Sequence, residues 1–335
     1  ENVNRIYSTV NTVGGDDTIN ASSGDNRLVG GDGSDTINAG NGNDLVIGDN
    51  GEINFDAAGI ITDIQSTSTD QGGADFITLI AGNNTVIAGF GSDEVTTGKG
   101  ADDVIGDNGI IQYVDGVAVR LSTNDNDVST TGVDTIIVGG GDNRVLAGLS
   151  NDEVTSTYGN DVVLGDNGEL SYINNVLVNA ISSEASTGGD DLLALGEGNN
   201  IVIGGAGADV ITTLSGVDTI LGDNGQLVWS VTGIIESVTA TDLTNGADDI
   251  IVAGDADNII VGATGDDIIE TGIDNDTILG DGGVALYTDG VLVSLSSDAV
   301  EAGDDIITVV NGNNIIAGGA GADVITTTDG VDIIL

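Results

Sequence analysis

The chain has 335 residues, 55 acidic and 5 basic, for a formal net charge of −50, with 55 Gly and no Pro, His, Cys or Met. That charge makes nucleic acid and anionic lipid poor partners. The missing Cys and His remove disulfides, thiolate chemistry and the commonest general base, and no apolar run approaches the ~18 residues of a membrane-crossing helix.

Charge this high ordinarily accompanies disorder. Yet 39% of the residues are hydrophobic, and Ile, Val and Leu recur throughout. The expectation is a chain that folds once something neutralises it. It opens with neither an initiator Met nor a signal peptide, and so reads as a mature or excised piece of something longer.

The elements repeat from the N-terminus onward. A first block, about 14–51, carries Asp17, Asn26, Asp35 and Asp44 at nine-residue intervals and ends in Gly48-Asp49-Asn50-Gly51. After a spacer of about 52–71, a second block (72–109) carries Asp75, Asn84, Asp93 and Asp102 and ends with Asp107 in the same tetrapeptide. Past 110–130, the third (131–168) has Asp134, Asn143, Asp152, Asp161 and the terminal Asp166. Past 169–187, the fourth (188–225) has Asp191, Asn200, Asp209, Asp218 and Asp223. Past 226–244, the fifth (245–283) is irregular: Asp248, Asp257, Asp266, then Asp276 after a one-residue insertion, then Asp281 in Gly-Asp-Gly-Gly. Past 284–301, the sixth (302–335) has Asp305, Asn314, Asp323 and Asp332. The whole is read as one continuous array with a long period of about 58 residues.

In this reading the 24 anchors comprise 19 Asp and 5 Asn, always with Ile, Val or Leu two residues on, and with Gly two residues before in 20. A nine-residue period matches neither helix nor alternating strand. It fits a short strand and a turn, repeated. Each spacer has two apolar-rich runs around a turn signal such as Asp115-Gly116, Asn174-Asn175 or Asp289-Gly290, which predicts one β-hairpin per repeat. The alternative is that both runs are longer rungs of the same solenoid. An aromatic stands four residues past each tetrapeptide: Phe55, Tyr113, Tyr172, Trp229 and Tyr287. These are either packing anchors or a row of exposed stacking platforms.

The nonapeptide pattern, as in Gly30-Gly31-Asp32-Gly33-Ser34-Asp35-Thr36-Ile37 and Gly204-Gly205-Ala206-Gly207-Ala208-Asp209-Val210-Ile211, resembles the RTX repeat Gly-Gly-x-Gly-x-Asp-x-U-x. The resemblance implies an all-β, calcium-bound parallel β-roll with two strands per 18-residue coil and Ca²⁺ in the turns. Turns 18 residues apart then stack on one edge, about 4.8 Å apart. Metal ligands are expected at the 24 anchors and at Asp49, Asp107, Asp166, Asp223 and Asp281, with the tetrapeptide closing the last site of its block. Asn on the second turn means either a weak or absent site there or an amide paired with turn backbone. At two to three sites per block, about 12–18 Ca²⁺ offset roughly +24 to +36 of the charge.

Everything polar here is repeated, whereas catalytic sites are unique constellations, so no enzyme is expected. The principal functional expectation is an extracellular, calcium-stiffened filament, stalk or surface layer that associates with itself. The other is an adhesin module that meets glycans or surfaces through hairpin tips and aromatics. An ice-binding face is disfavoured, since Thr-Thr pairs such as Thr96-Thr97 are sparse. The resemblance also implies type I secretion to the outside of a Gram-negative bacterium.

Overall fold

The computed structural model describes residues 3–8, 14–123, 132–183, 186–241, 244–297 and 303–335. The expected block boundaries at 130/131 and 301/302 lie outside the described residues. Among the described residues there is no helix, and the strands form two sheets of twelve and one of eleven.

Successive nonapeptides deliver their strands alternately to two parallel sheets. Thr18–Asn20, Thr36–Asn41, Phe76–Ala81 and Glu94–Lys99 begin the first sheet. Arg27–Val29, Leu45–Ile47, Thr85–Ile87 and Asp103–Ile105 begin the second. The aliphatic two residues after each anchor keeps one register, so that Ile37, Ile77, Val95, Ile136 and Val154 stand in a single fully buried row. They meet Val46, Val86, Val104, Val145 and Val163 of the second sheet in one long core.

The spacers are hairpins rather than solenoid rungs. Gly51–Phe55 pairs with Ile61–Ser66, Gly109–Val114 with Val117–Thr123, and Gly168–Ile173 with Val176–Ser182, all antiparallel. Neighbouring hairpins also pair, as Gln65 with Ile110, which makes a continuous third sheet. Positive φ at Asp115 and Gly116, Asn174 and Asn175, and Asp289 and Gly290 gives the tight turns whose twist suits a hairpin. The other two loops are longer, and each closes on a side chain: Asp56 Oδ1 accepts the N–H of Ala58 and Ile60, and Ser230 Oγ those of Thr232 and Ile234.

The third sheet covers the outer face of the second. Ile53, Ile64, Ile111, Leu121 and Leu170 pack there against Ile47, Ile87, Ile105 and Leu146. The second sheet is therefore a middle layer buried on both faces. Its triplets Leu45–Ile47 and Val162–Leu164 are buried at every position, which explains unbroken aliphatic runs where alternation would otherwise appear. In all five hairpins the register slips immediately before the aromatic. Such a bulge re-aims a side chain, and here Phe55, Tyr113, Tyr172, Trp229 and Tyr287 end half-buried on the second core, as packing anchors.

Each block thus adds two strands to every sheet, an advance of roughly 9.6 Å. The fifth block strains this geometry. Ala256 (φ 123°), Ala263 (φ 93°) and Asp274 (φ 98°) occupy positive-φ positions that Gly198, Gly205 and Gly216 fill one block earlier. A Cβ in this region costs about 1–2 kcal/mol. Ala256→Gly is expected to raise stability of the calcium-loaded protein by about 1 kcal/mol in urea unfolding. Gly198→Ala should lower it by more, because its Cβ would lie 1.8 Å from Gly159 O.

Candidate metal centre

The turns preceding the strands of the first sheet form one edge of the roll, and those preceding the second sheet form the other. On the first edge every anchor is Asp: 17, 35, 75, 93, 134, 152, 191, 209, 249, 267, 305 and 323. From Asp35 onward each Oδ1 accepts the backbone N–H of the anchor one coil back, at 2.7–3.2 Å. The file is unbroken across all six blocks.

The second carboxylate oxygen is different. From Asp35 to Asp305, Oδ2 of every first-edge anchor is buried with no hydrogen-bond partner. It lies in space kept open by glycine: a Cβ on Gly48 would stand 2.2 Å from Asp75 Oδ2, on Gly106 2.4 Å from Asp134 Oδ2, and on Gly222 2.1 Å from Asp249 Oδ2. These are the first glycines of the tetrapeptides, and this is why Gly is needed there.

The tetrapeptide aspartates also belong to this edge. Asp49 accepts N–H bonds from Gly73 and Phe90, Asp166 from Gly189 and Ala206, Asp223 from Ala247 and Thr264, and Asp281 from Gly303 and Ala320. Asp107 accepts from Leu149. Beyond the expectation that the tetrapeptide closes the last site of its own block, these side chains reach into the next block, while Gly48 O accepts the N–H of Gly31 in its own. Nine residues past a second-edge turn the chain is back on the first edge, where its neighbours are the first and third turns of the next block.

Burial is the main electrostatic consequence. It pushes Asp49 up to about 10, with repulsion from Asp75 and Asp93 adding to it. Burial likewise raises Asp75 to about 8 and Asp267 to about 9. Asp93, Asp134, Asp152, Asp191 and Asp249 are held well above the usual carboxylate range by burial first and neighbouring carboxylates second.

The second edge reads Asn26, Asp44, Asn84, Asp102, Asn143, Asp161, Asn200, Asp218, Asn258, Asp276, Asn314 and Asp332, a strict alternation joined by the same N–H ladder. Here the amide of Asn84 donates to Gly82 O at 2.9 Å, and Asn143 and Asn200 do the same to Gly141 O and Gly198 O. Of the two readings of Asn, pairing with turn backbone is therefore present.

The fifth block corrects the sequence register. Its stacked anchors are Asp249, Asn258, Asp267 and Asp276, spaced by nine with no insertion. Asp248, Asp257 and Asp266 point outward and are exposed. The doublets Asp248-Asp249, Asp266-Asp267, Ile250-Ile251, Ile259-Ile260 and Ile268-Ile269 make the two frames look alike. Burial decides between them, since Ile251, Ile260 and Ile269 are fully buried and Ile250 is 40% exposed. Ala247 and Ala256, rather than Gly, precede the true anchors by two.

Arg27 and Arg144, equivalent in sequence, do different things. Arg144 makes a two-pronged ion pair with Asp103, at 2.5 and 2.6 Å, beneath the ring of Tyr172. Arg27 lies over the ring of Phe55. Asp103 was not singled out from the sequence. Its only signal was being a second acid directly after an anchor.

Among the described residues no three acidic side chains converge as a preformed cation cage. One oxygen of each first-edge Asp is already engaged by an N–H. A cation held between two turns would find one free carboxylate oxygen per turn, with turn carbonyls nearby. Buried, unpartnered oxygens in glycine-lined space are a hard-donor set that fits Ca²⁺.

The family model described as RTX calcium-binding nonapeptide repeat (four copies) matches residues 11–51, 80–110, 128–163, 186–226, 243–284 and 301–334, most of the chain. No curated protein matches the sequence.

The raised carboxylates set a pH dependence for the calcium-free chain. Their folded values exceed the unfolded value near 3.8, so the folded state holds the extra protons. Stability is then full below about pH 4 and falls as pH rises through about 8–10. In chelator, far-ultraviolet circular dichroism is expected to show more β structure at pH 4.5 than at pH 8.5, and calcium should restore the structure at pH 8.5.

Proposed function

The chain belongs to the RTX calcium-binding nonapeptide-repeat family, and from that premise we propose that it is a segment of an extracellular, calcium-stiffened structural protein, a filament, stalk or surface layer that associates with itself. It binds Ca²⁺, as the family's repeats do. RTX repeats are typical of secreted proteins, and no helix among the described residues is long and apolar enough to cross a membrane.

The observation that carries the proposal is the unbroken first-edge file of aspartates, with its buried free oxygens and the five tetrapeptide aspartates beside it. Bound calcium supplies positive charge at these oxygens. The protein's own groups hold the carboxylates in line through the N–H ladder and exclude side chains from the space between them. Millimolar calcium outside a cell and its scarcity inside would then couple folding to export. The anchor aspartates and their glycines recur with the blocks, which is the pattern of a scaffold. The array is read as continuous, with one hairpin per block.

Lateral self-association is supported by the uncovered outer face of the first sheet. Leu192, Val210, Ile250, Ile268, Ile306 and Val324 are register neighbours there, and Leu192, Ile250, Ile306 and Val324 are 40–57% exposed. An apolar row of this kind marks an interaction surface.

One observation favours a glycan-binding reading. A cavity of about 280 Å³ lies between the second edge and a hairpin tip, lined by Asn143, Asn160, Asn175, the Arg144–Asp103 pair and Tyr172. The Tyr172 ring lies over the Arg144 guanidinium and walls one side of the cavity. The ion pair is neutral overall, so a neutral polyhydroxylated ligand suits it.

Sedimentation and electron microscopy at millimolar calcium decide between the readings. Rods that associate side by side, and that separate into single particles in Ile250→Lys/Ile306→Lys, are expected. Monodisperse wild-type particles at high concentration would count against self-association.

A further inference from the structure

We propose that calcium is taken up along the first edge only, and that on the second edge asparagine side-chain amides stand where cations would otherwise bridge successive turns. This rests on the calcium-binding reading above and adds to it where the metal goes.

The two edges share one geometry. On both, the Oδ1 of each anchor accepts the N–H of the turn one coil back, as Asp93 Oδ1 does from Asp75 and Asn84 Oδ1 from Asp44. That bond orients Asn and Asp alike. It also fixes which way the amide faces, since only its oxygen accepts an N–H. The Nδ2 of Asn therefore points where an Asp would present Oδ2.

What surrounds that nitrogen is a set of oxygens. Asn84 Nδ2 lies 2.9 Å from its own turn's Gly82 O and 2.9 Å from Oδ1 of Asp102 in the next coil. Asn143 Nδ2 lies 2.9 Å from Gly141 O and 2.9 Å from Asp161 Oδ1. Asn26 Nδ2 repeats the contact to Asp44 at 2.7 Å, and Asn314 Nδ2 the one to Asp332 at 3.0 Å. A turn carbonyl and a carboxylate of the following coil are the donors a calcium ion would need. An N–H group already bridges them, and its positive end repels a cation arriving at the same place.

On the second edge Asp44, Asp102, Asp161 and Asp218 also keep a buried Oδ2 without a hydrogen bond, and what differs is the residue that stands beside it. Five residues before Asp276 stands Thr271, whose hydroxyl donates to Asp276 Oδ2 at 2.7 Å. Thr97, Ser156 and Thr213 hold the same place before Asp102, Asp161 and Asp218. On the first edge Gly30, Gly204 and Gly262 hold that place, and a Cβ on any of them would meet Oδ2 of the following Asp at 2.3 Å. The first edge thus leaves open space at a place where the second carries a hydroxyl-bearing side chain.

Equilibrium dialysis of the full chain with ⁴⁵Ca²⁺ tests this. Eleven intervals separate the first-edge anchors, so saturation near 11 Ca²⁺ is expected. Saturation near 22, one per interval on both edges, would overturn the one-edge assignment and leave calcium binding intact. No binding at all would sink both. Asn84→Asp/Asn143→Asp removes two amide bridges and should increase the bound calcium, whereas an unchanged count would contradict the exclusion. If that variant does not fold, anomalous scattering from Tb³⁺-soaked wild-type crystals decides: peaks confined to the first edge support the proposal, and peaks beside Asp102, Asp161 and Asp218 refute it.

Discussion

A file of buried carboxylates along the first edge is the constraint to which the rest of the molecule answers. At the spacing of stacked strands, about 5 Å, each neighbouring pair of charges repels by ~3 kcal/mol at an effective dielectric of 20. A folded domain is stable by only ~5–15 kcal/mol. The N–H ladder orients these groups without neutralising them, and the Gly positions around Oδ2 admit nothing larger than a proton or an ion. A proton or a cation would relieve that repulsion at the same oxygens, so the two would compete for this edge. The second edge meets the same crowding by dilution, with every other charge replaced by a neutral amide that also ties the coils together.

The three sheets are held together by an equality of pitch. Four nonapeptides make two coils, hence two strands in each parallel sheet, and the spacer adds two antiparallel strands to the third. Because all three layers advance equally, the second sheet stays covered on both faces along the array. The bulge before each aromatic helps to keep this match: it lets Tyr113 or Tyr172 turn onto the second core while the strand beyond it continues toward its turn.

Much of this was written in the sequence because the roll uses few kinds of position. The anchor, its aliphatic two residues on and the preceding glycine reveal coil length, parallel stacking and the choice of metal, and Asp115-Gly116 or Asp289-Gly290 reveals the hairpins. What was not legible depended on which of two similar residues faces inward. Asp248 and Asp249 are chemically identical, and only the burial of Ile251 in place of Ile250 separates them. Once the frame is right, Asn258 joins Asn84 and Asn143, and the second edge becomes a rule without exceptions. The reach of Asp49 into the following block was hidden too, because it depends on which edge the chain has returned to. The bulges and the Arg144–Asp103 pair depend on packing between layers that no local pattern encodes.

The shared two-strand advance also governs how such a chain can change length. Deleting nine residues would move every later anchor to the opposite edge, setting Asn into the all-aspartate file and Asp into the alternating one. Deleting eighteen would restore the edges but leave the two parallel sheets one strand short of the hairpin sheet, shearing the layers apart. Only a whole unit of about 58 residues can be gained or lost silently. Length is thus quantised in steps of roughly 9.6 Å, and genetic duplication of the unit lengthens the array without altering its cross-section.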